Sequence, residues 1–332
     1  MKYKILIFLS KIIPSIIAKV LEGEIYLIDY AKTNNKTFRD IIENKEDKGF
    51  EKSLLKNTDF KSRIITKRVL RRVSSYVLKN KIYYIRTICE SLTLYLANLH
   101  KNKVLKEKDG VWYYENFALP RNHFNNQIFW DKYFITELKT LDKVKNGDIV
   151  DVGAFIGDSA ILFEKYTNKN VLAFEPVTSS YDDLLKTIKI NNSDKIIPYK
   201  FGLGSHKQEL LISIFDSSGV GATLRQDRKE HKINKQETIK IDKLDDIVKN
   251  ENLKIGLIKV DVEGAEQDFL EGALDTIKSQ KPALIIAIYH TGEDFFEIKT
   301  KIENLNLGYK FKIRKATKNG ILDDTVLIAE VV

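Results

Sequence analysis

Apolar and polar positions change their rhythm along this chain. Over residues 1–105 apolar residues recur at helical spacing with few Gly or Pro to interrupt them, as in RTICESLTLYLANLHKN, where Ile88, Leu92, Leu96 and Leu99 share one face. Residues 1–108 therefore read as a helical, basic N-terminal region. Asp109-Gly110 is then a turn signal, Trp112 to Phe117 reads as a strand, and Pro120 stops it. From about residue 147 short apolar runs alternate with amphipathic helices, which marks a parallel sheet with crossover helices.

The runs are DIVDV (148–152), NVLAFEP (170–176), IIPYKFG (196–202), IGLIKVDV (255–262), ALIIAIYH (283–290), YKFKIR (309–314) and TVLIAEVV (325–332). Helical stretches separate the first five, whereas the last two are joined by KATKNGILDD with an Asn319-Gly320 turn. An α/β fold follows, with a seven-stranded, mostly parallel sheet ending in an antiparallel hairpin, in a domain spanning 109–332. QELLISIF (208–215) and ETIKI (237–241) read as an extra pair of strands around a loop containing SSGVGATL (217–224). That loop is placed to fold over an acceptor, or simply to connect the strands.

Composition is that of a folded globular protein, with 43% hydrophobic and 30% charged residues and only five prolines in 332. The single cysteine, Cys89, cannot form an internal disulfide and suits a reducing cytosol; beside Ile88 and Leu92 it reads as an inert core thiol. The net charge of +9 is lopsided, because residues 1–115 hold 24 Lys/Arg against 13 Asp/Glu and the remainder 31 against 33. Its densest part is KSRIITKRVLRRVSSYVLKNKIYYIR, Lys61 to Arg86. The plain reading is a solvated helical face; the sharper one is peripheral contact of 52–86 with an anionic membrane surface, at its inner face. In the N-terminal MKYKILIFLSKIIPSIIAKV the apolar runs are cut by Lys11, Pro14 and Lys19, so neither a signal core nor a membrane span is expected, and a cytoplasmic location is.

Candidate chemistry begins at IVDVGAFIGDSAILF. Gly153 and Gly157 stand at the exit of a strand and the start of a helix, where a tight turn and unpaired amides can meet a ligand. Eighteen residues beyond Gly157, Glu175 ends the next strand, the place from which an acid accepts hydrogen bonds from both hydroxyls of a ribose. A dinucleotide fingerprint needs G-x-G-x-x-G, but Ala154 and Phe155 follow Gly153 and only G-x-x-x-G is present. An adenosine cofactor without phosphates, S-adenosylmethionine, fits better. Asp158 and Ser159, opening the helix, are explained equally well as capping residues.

These stretches carry a family resemblance. DVGAFIGDSA (151–160), AFEPV (173–177), LIKVDVEGAE (257–266), IAIYHTGEDFFEI (286–298) and DDTVLIA (323–329) together resemble the FkbM-type S-adenosylmethionine-dependent methyltransferases over about 110–332. The resemblance implies a Rossmann-like class I methyltransferase fold and O-methylation of sugars or other hydroxylated metabolites. It also implies cofactor contacts from Asp151, Gly153, Ala154, Gly157, Asp158, Ser159, Glu175, Pro176 and Asp261, with Gly202 of KFGLG near the adenine. Phe155 departs from the asparagine common in the family, which touches the contacts near the methionine moiety. Residues 1–105 carry no usable resemblance.

In GLIKVDVEGAEQDFL an apolar strand ends in three acids. Glu263 and Glu266 fall in the first turn of the next helix, where its positive end favours them. Asp261 ends the strand itself and needs a partner if buried, so it is the functional candidate. In the class I strand order the run ending in Tyr289 and His290 lies beside Asp261. Methyl transfer to a hydroxyl requires loss of a proton, and His290, charge-balanced by Asp261, is the expected base, with Tyr289 alongside. His100, His123, His206 and His231 stand apart with no metal-ligand spacing, so no metal site is expected. Mg2+ held by Asp261, Glu263 and another acid is the minor alternative.

The expected function is O-methylation of a sugar or glycan precursor. A non-catalytic membrane-surface adapter of glycan assembly and an RNA methyltransferase stay open beside it. Against the last, no aromatic clamp of the NPPY type follows the fourth strand and the basic excess lies outside the catalytic part, so no nucleic-acid partner is expected.

Overall fold

A computed structural model describes residues 48–79, 87–214, 235–318 and 320–332. The N-terminal apolar runs, residues 80–86 of the basic stretch, the SSGVGATL loop, His231 and Asn319 lie outside the described residues. Among the described residues three helices come first, α1 (Lys48–Leu55), α2 (Phe60–Lys79) and α3 (Ile88–Val104). A meander of β1 (Lys106–Lys108), β2 (Val111–Tyr114) and β3 (Phe117–Leu119) follows. Asp109 and Gly110, both at positive φ, make the two-residue turn that twist-matched hairpins require. The strand expected over Trp112 to Phe117 is instead two strands, because Glu115 also takes a positive φ of 52° and reverses the chain.

The main sheet is built from β4 (Asp148–Val152), β5 (Val171–Phe174), β6 (Ile196–Tyr199), β10 (Ile255–Val260), β11 (Ala283–Ala287), β12 (Lys310–Lys315) and β13 (Thr325–Glu330). Their order is β12-β13-β11-β10-β4-β5-β6, with β13 antiparallel to both neighbours, as the terminal hairpin predicts. A second small sheet holds β7 (Gly202–Leu203), β8 (Gln208–Ile214) and β9 (Lys235–Asp242), so the expected extra pair exists and takes the end of the third run with it. The principal crossover helices are α4 (Asp158–Phe163), α5 (Thr178–Asn191), α6 (Glu266–Gly272) and α7 (Gly292–Asn304).

Parallel strands covered on both faces read as continuous apolar runs, and β4, β10 and β11 are buried at every position. Side chains alternate between faces with period two. Val150, Val152, Leu172, Phe174, Ile258 and Val260 enter one core cluster, whereas Ile149, Val171, Ala173 and Leu257 enter the other. The register then sets the site. Val260 pairs with Val152 and Val152 with Phe174, so Asp261, Gly153 and Glu175 emerge at one edge, with β4 between the two acids.

The N-terminal helices share this core. Leu54, Val69 and Val73 are buried in the same cluster as the sheet residues, and Ser62 accepts the β12 amide of Ile313 at 2.8 Å. Arg314 of β12, 3% exposed, reaches Asp59 and Glu137 at 2.6 Å each. The boundary expected at 108/109 falls inside the β1–β2 turn. Two expectations about the helices are corrected. On α3 the apolar face fails to pack: Leu96 and Leu99 are exposed, and Ala97 and Ser91 are buried instead. Small side chains let the helix lie close, with His100 against Tyr114 and Trp130. Cys89 is exposed and is no core thiol. Part of the apolar side of the basic stretch is likewise spent on the core, through Leu54, Val69 and Val73. No helix among the described residues is long and apolar enough to cross a membrane.

Candidate active site

A cavity of about 320 Å³ opens at the carboxyl edge of β4, β5 and β10, where open α/β sheets bind ligands. Gly153, Asp158, Ser159, Glu175, Pro176, Gly202, Asp261 and Tyr289 all line it. Asp151, Ala154, Gly157 and His290, also expected there, are not among its lining residues. The two glycines are required by the chain itself. A Cβ on Gly153, at φ 75°, would lie 2.0 Å from the carbonyl oxygen of Asp261, and one on Gly157, at φ 86°, 2.7 Å from Leu184 Cδ1. They allow β10 and α5 to close on the turn, which brings Phe155 over Glu175.

Glu175 is fixed by the backbone. The amide of Phe155 donates to its Oε2 and that of Val177 to its Oε1, both at 2.9 Å. Burial pushes its carboxyl up to about 7 against those two amides. Each oxygen keeps a lone pair for a further donor in the cavity.

A buried cation joins the two halves of the site. Lys259, next to last in β10, pairs with Asp151 at 3.0 Å, donates to the carbonyl of Gly153 at 2.8 Å and lies 5.5 Å above the Tyr133 ring. Burial alone would lower its pKa, but Asp151 and Asp261 raise it, so it stays charged. Ser159 donates to the other oxygen of Asp151 at 2.6 Å. Asp158 is held by His123 at 2.8 Å, which closes the cavity from the side of residues 123–128.

The three acids at the end of β10 have different work. Glu266 is fully buried and closes its own turn: it accepts the amides of Val262 and Gly264 at 2.9 and 3.0 Å and the Nδ1 of His290 at 2.8 Å. Glu263, at φ 56°, places an oxygen 3.8 Å from His290 Nε2. Asp261 faces the cavity. Its Oδ2 accepts the Tyr133 hydroxyl at 2.7 Å, and its Oδ1 lies 3.4 Å from both the Tyr289 hydroxyl and His290 Nε2. Burial raises its pKa, while His290 and Lys259 draw it back.

This geometry bears on the expected base. Burial would depress His290, but Glu266, Glu263 and Asp261 outweigh it and push the imidazole up to about 10. That favours the imidazolium, which has no lone pair to take a proton. It is the cation that lets three carboxylates gather, a place Mg2+ takes in the minor alternative. Ligand atoms of Asp261, Glu266 and His290 do lie within 4.8 Å of one another. Glu266, however, is committed to two amides and an imidazolium, so the group is balanced by its own residues.

Tyr133, Lys259, His123, Lys318 and Asp324 line the cavity without having been singled out from the sequence. Lys259 sits inside the KVDVEGAE motif, where a lysine in an apolar strand was a usable signal. Tyr133 had none: it enters from Lys132, Tyr133 and Phe134, three successive residues at φ 50–58°.

Residues 151–311 match the methyltransferase FkbM domain. The hexuronic acid methyltransferase AglP of Haloferax volcanii is 31% identical over 162 residues, 46% of this chain and 61% of AglP. The methyltransferase sdnD of Sordaria araneosa is 30% identical over 198 residues, 51% of this chain and 74% of sdnD. Among solved structures, the methyltransferase FkbM from Methylobacillus flagellatus superposes with a TM-score of 0.54 at 17% identity, over 84% of this chain and 57% of that one.

Proposed function

The chain belongs to the FkbM family of methyltransferases, and from that premise we propose that it methylates a hydroxyl of a sugar or glycan precursor, using S-adenosylmethionine. When bound, that cofactor supplies a methyl group on a sulfonium, which an oxygen nucleophile displaces. The observation that carries the reading is the pair of carboxylates at one sheet edge, Glu175 and Asp261, lining a single cavity with β4 between them. The donor set fits a neutral ribose better than a pyrophosphate. Glu175 offers two acceptor oxygens, already oriented by Phe155 and Val177, and the turn above it carries Phe155 where a phosphate-binding glycine would stand.

Asp261 is the group placed to take the acceptor's proton. A raised pKa makes it a better base than a free carboxylate, while Lys259 and His290 favour its ionised form against burial. Tyr133 fixes its second oxygen, leaving Oδ1 toward the acceptor. His290 positions and charges Asp261 instead of acting as base. The sugar acceptor is supported by AglP, a hexuronic acid methyltransferase in name and a relative of this chain.

Calorimetry with S-adenosylmethionine on wild type and Glu175→Gln tests the cofactor site, and equal affinities would remove Glu175 from it. Incubating the protein with methyl-labelled cofactor and a lysate separated into glycan, lipid, nucleotide-sugar and RNA pools tests the acceptor. Label in a sugar-bearing pool is expected; label confined to RNA would overturn the sugar reading, and a protein that binds no cofactor would favour an adapter.

A further inference from the structure

Behind the turn that carries Tyr133 lies a second, larger cavity of about 540 Å³, between α2, α3 and the segment following β12. The two cavities meet at Lys318, which lines both. Successive residues divide them, since Tyr133 faces the first and Phe134 the second. The wall of the second is cationic, with Lys61, Arg68, Arg72, Lys315 and Lys318 against two acids, Glu90 and Asp131.

Both acids are engaged. Glu90 faces two guanidinium groups, Arg68 at 2.9 Å and Arg72 at 2.8 Å, and also closes the capping box of α3 through Thr87. The oxygens of Asp131 accept the amide and hydroxyl of Thr317. Lys61 pairs with Glu137 and Lys318 with Asp324. Lys315 forms no ion pair with any described residue; burial lowers its pKa, while the nearby carboxylates of Asp323, Asp324 and Glu90 favour its charged form. Arg68 and Arg72 lie one helical turn apart, and guanidinium forks match phosphate oxygens. At the rim Phe60 is 78% exposed and Ile64, one turn on, 42%, an apolar shoulder beside the charged wall.

Building on the methyltransferase reading, we propose that this cavity seats the phosphate of a glycosyl phosphate acceptor, whose sugar then enters the adjoining cavity past Lys318 toward Asp261. The phosphate lies against Lys315, Arg68 and Lys318, and the aglycone rests on Phe60 and Ile64. A nucleotide-linked sugar and a lipid-linked sugar share this chemistry: a base or an isoprenoid chain would meet the same shoulder.

Cys89 gives a direct readout, being the only cysteine in the chain, exposed, and part of this wall. The rate at which N-ethylmaleimide modifies it in the full-length protein, without cofactor, is measured against inorganic pyrophosphate. Protection should reach roughly tenfold at about ten times the half-saturating concentration, the factor expected when bound ligand blocks the thiol. In Lys315→Gln, and separately in Arg68→Gln, which leaves the Arg72–Glu90 pair, that concentration should rise about tenfold for each lost charged hydrogen bond.

Unchanged labelling of wild type, or equal protection in wild type and both variants, would overturn the proposal. Two further arms name the source. Protection by UDP-glucose supports a nucleotide-linked acceptor, and protection by farnesyl phosphate in phosphatidylcholine vesicles a lipid-linked one. Equal protection by phosphatidylglycerol vesicles would mean a membrane-docking surface and overturn it too. Because labelling needs no cofactor, a protein that binds S-adenosylmethionine but shows no protection loses only this inference. One that is protected but binds no cofactor keeps the phosphate site and loses the methyltransferase role.

Discussion

Two carboxylates, Glu175 after β5 and Asp261 after β10, end neighbouring stretches of one sheet edge and face one cavity, yet their surroundings are opposite. Glu175 is held by two uncharged amides, and burial pushes it up to about 7. Asp261 is held by phenol and imidazole groups, with a buried lysine two residues before it in β10. Neutral donors fix a carboxylate's direction without paying fully for its charge, which suits an acceptor of hydrogen bonds from ligand hydroxyls. Cations keep a carboxylate ionised in a buried place, which suits an acceptor of protons. The difference in partners, with residue type held constant, is what separates a binding role from a chemical one.

The sharpest way to break this comparison is to remove the charge of Asp261. Asp261→Asn keeps the shape and the Tyr133 contact, and kcat should fall roughly 10²–10⁴-fold, the usual worth of a positioned base, with cofactor affinity retained. Single-turnover methyl transfer beside calorimetry separates the two. Loss of cofactor binding without loss of the chemical step would reverse the assigned roles.

Glu266→Gln attacks the support of the same carboxylate. It leaves the His290 imidazolium without its closest counter-charge in a fully buried place, and should cost about 3 kcal/mol of stability. The sign of the pH dependence follows from His290, whose pKa is raised from 6.5 to about 10 in the fold. Its contribution is complete below about pH 6.5 and is lost as pH rises toward 10. Urea denaturation from pH 6 to 10 should show wild type losing stability over that interval, and the variant showing a shallower slope.

Glu175→Gln tests the other half, with a smaller effect. Replacing an ionised acceptor by an amide should weaken cofactor binding by about 2 kcal/mol, the range for hydrogen bonds to charged groups. Since ligand hydroxyls need the ionised form, wild-type affinity should fall as pH drops through about 7, and the variant's should not. A wild-type profile flat between pH 5.5 and 8.5 would separate Glu175 from the ribose.

Much of this edge was legible in the chain, for a physical reason. DIVDV is β4 to the residue, because a strand covered on both faces must be apolar throughout and is bounded by what breaks it, here Gly147 and Gly153. Gly153, Glu175 and Asp261 then follow from where the apolar runs stop. Long-range packing was not legible. Leu96 and Leu99 have the period of a buried face, but α3 docks through Ala97 and Ser91, a choice made by the surface it meets. His290 reads as a base because its ordinary pKa is near neutrality, and the convergence of Glu263, Glu266 and Asp261, which favours its cation, leaves no mark in the apolar pattern. The hairpin at Glu115 and the turn at Tyr133 rest on left-handed residues other than glycine, which no apolar period announces.

Tyr133 offers the finest test. Its hydroxyl donates to Asp261 at 2.7 Å and so favours the ionised form, while its ring packs against Phe163 and beneath Lys259. Tyr133→Phe keeps the ring and deletes the donor, at a cost near 1 kcal/mol, about a fivefold loss of kcat. A purely structural hydroxyl would lower the rate equally at every pH. An orienting hydroxyl does something more specific, because without it Asp261 binds its proton more tightly. Methyl transfer requires that carboxylate ionised, so the acidic limb of the rate profile should move to higher pH in the variant, and the loss should shrink as pH rises. A uniform loss across the profile would leave Asp261 governed by Lys259 and His290 alone.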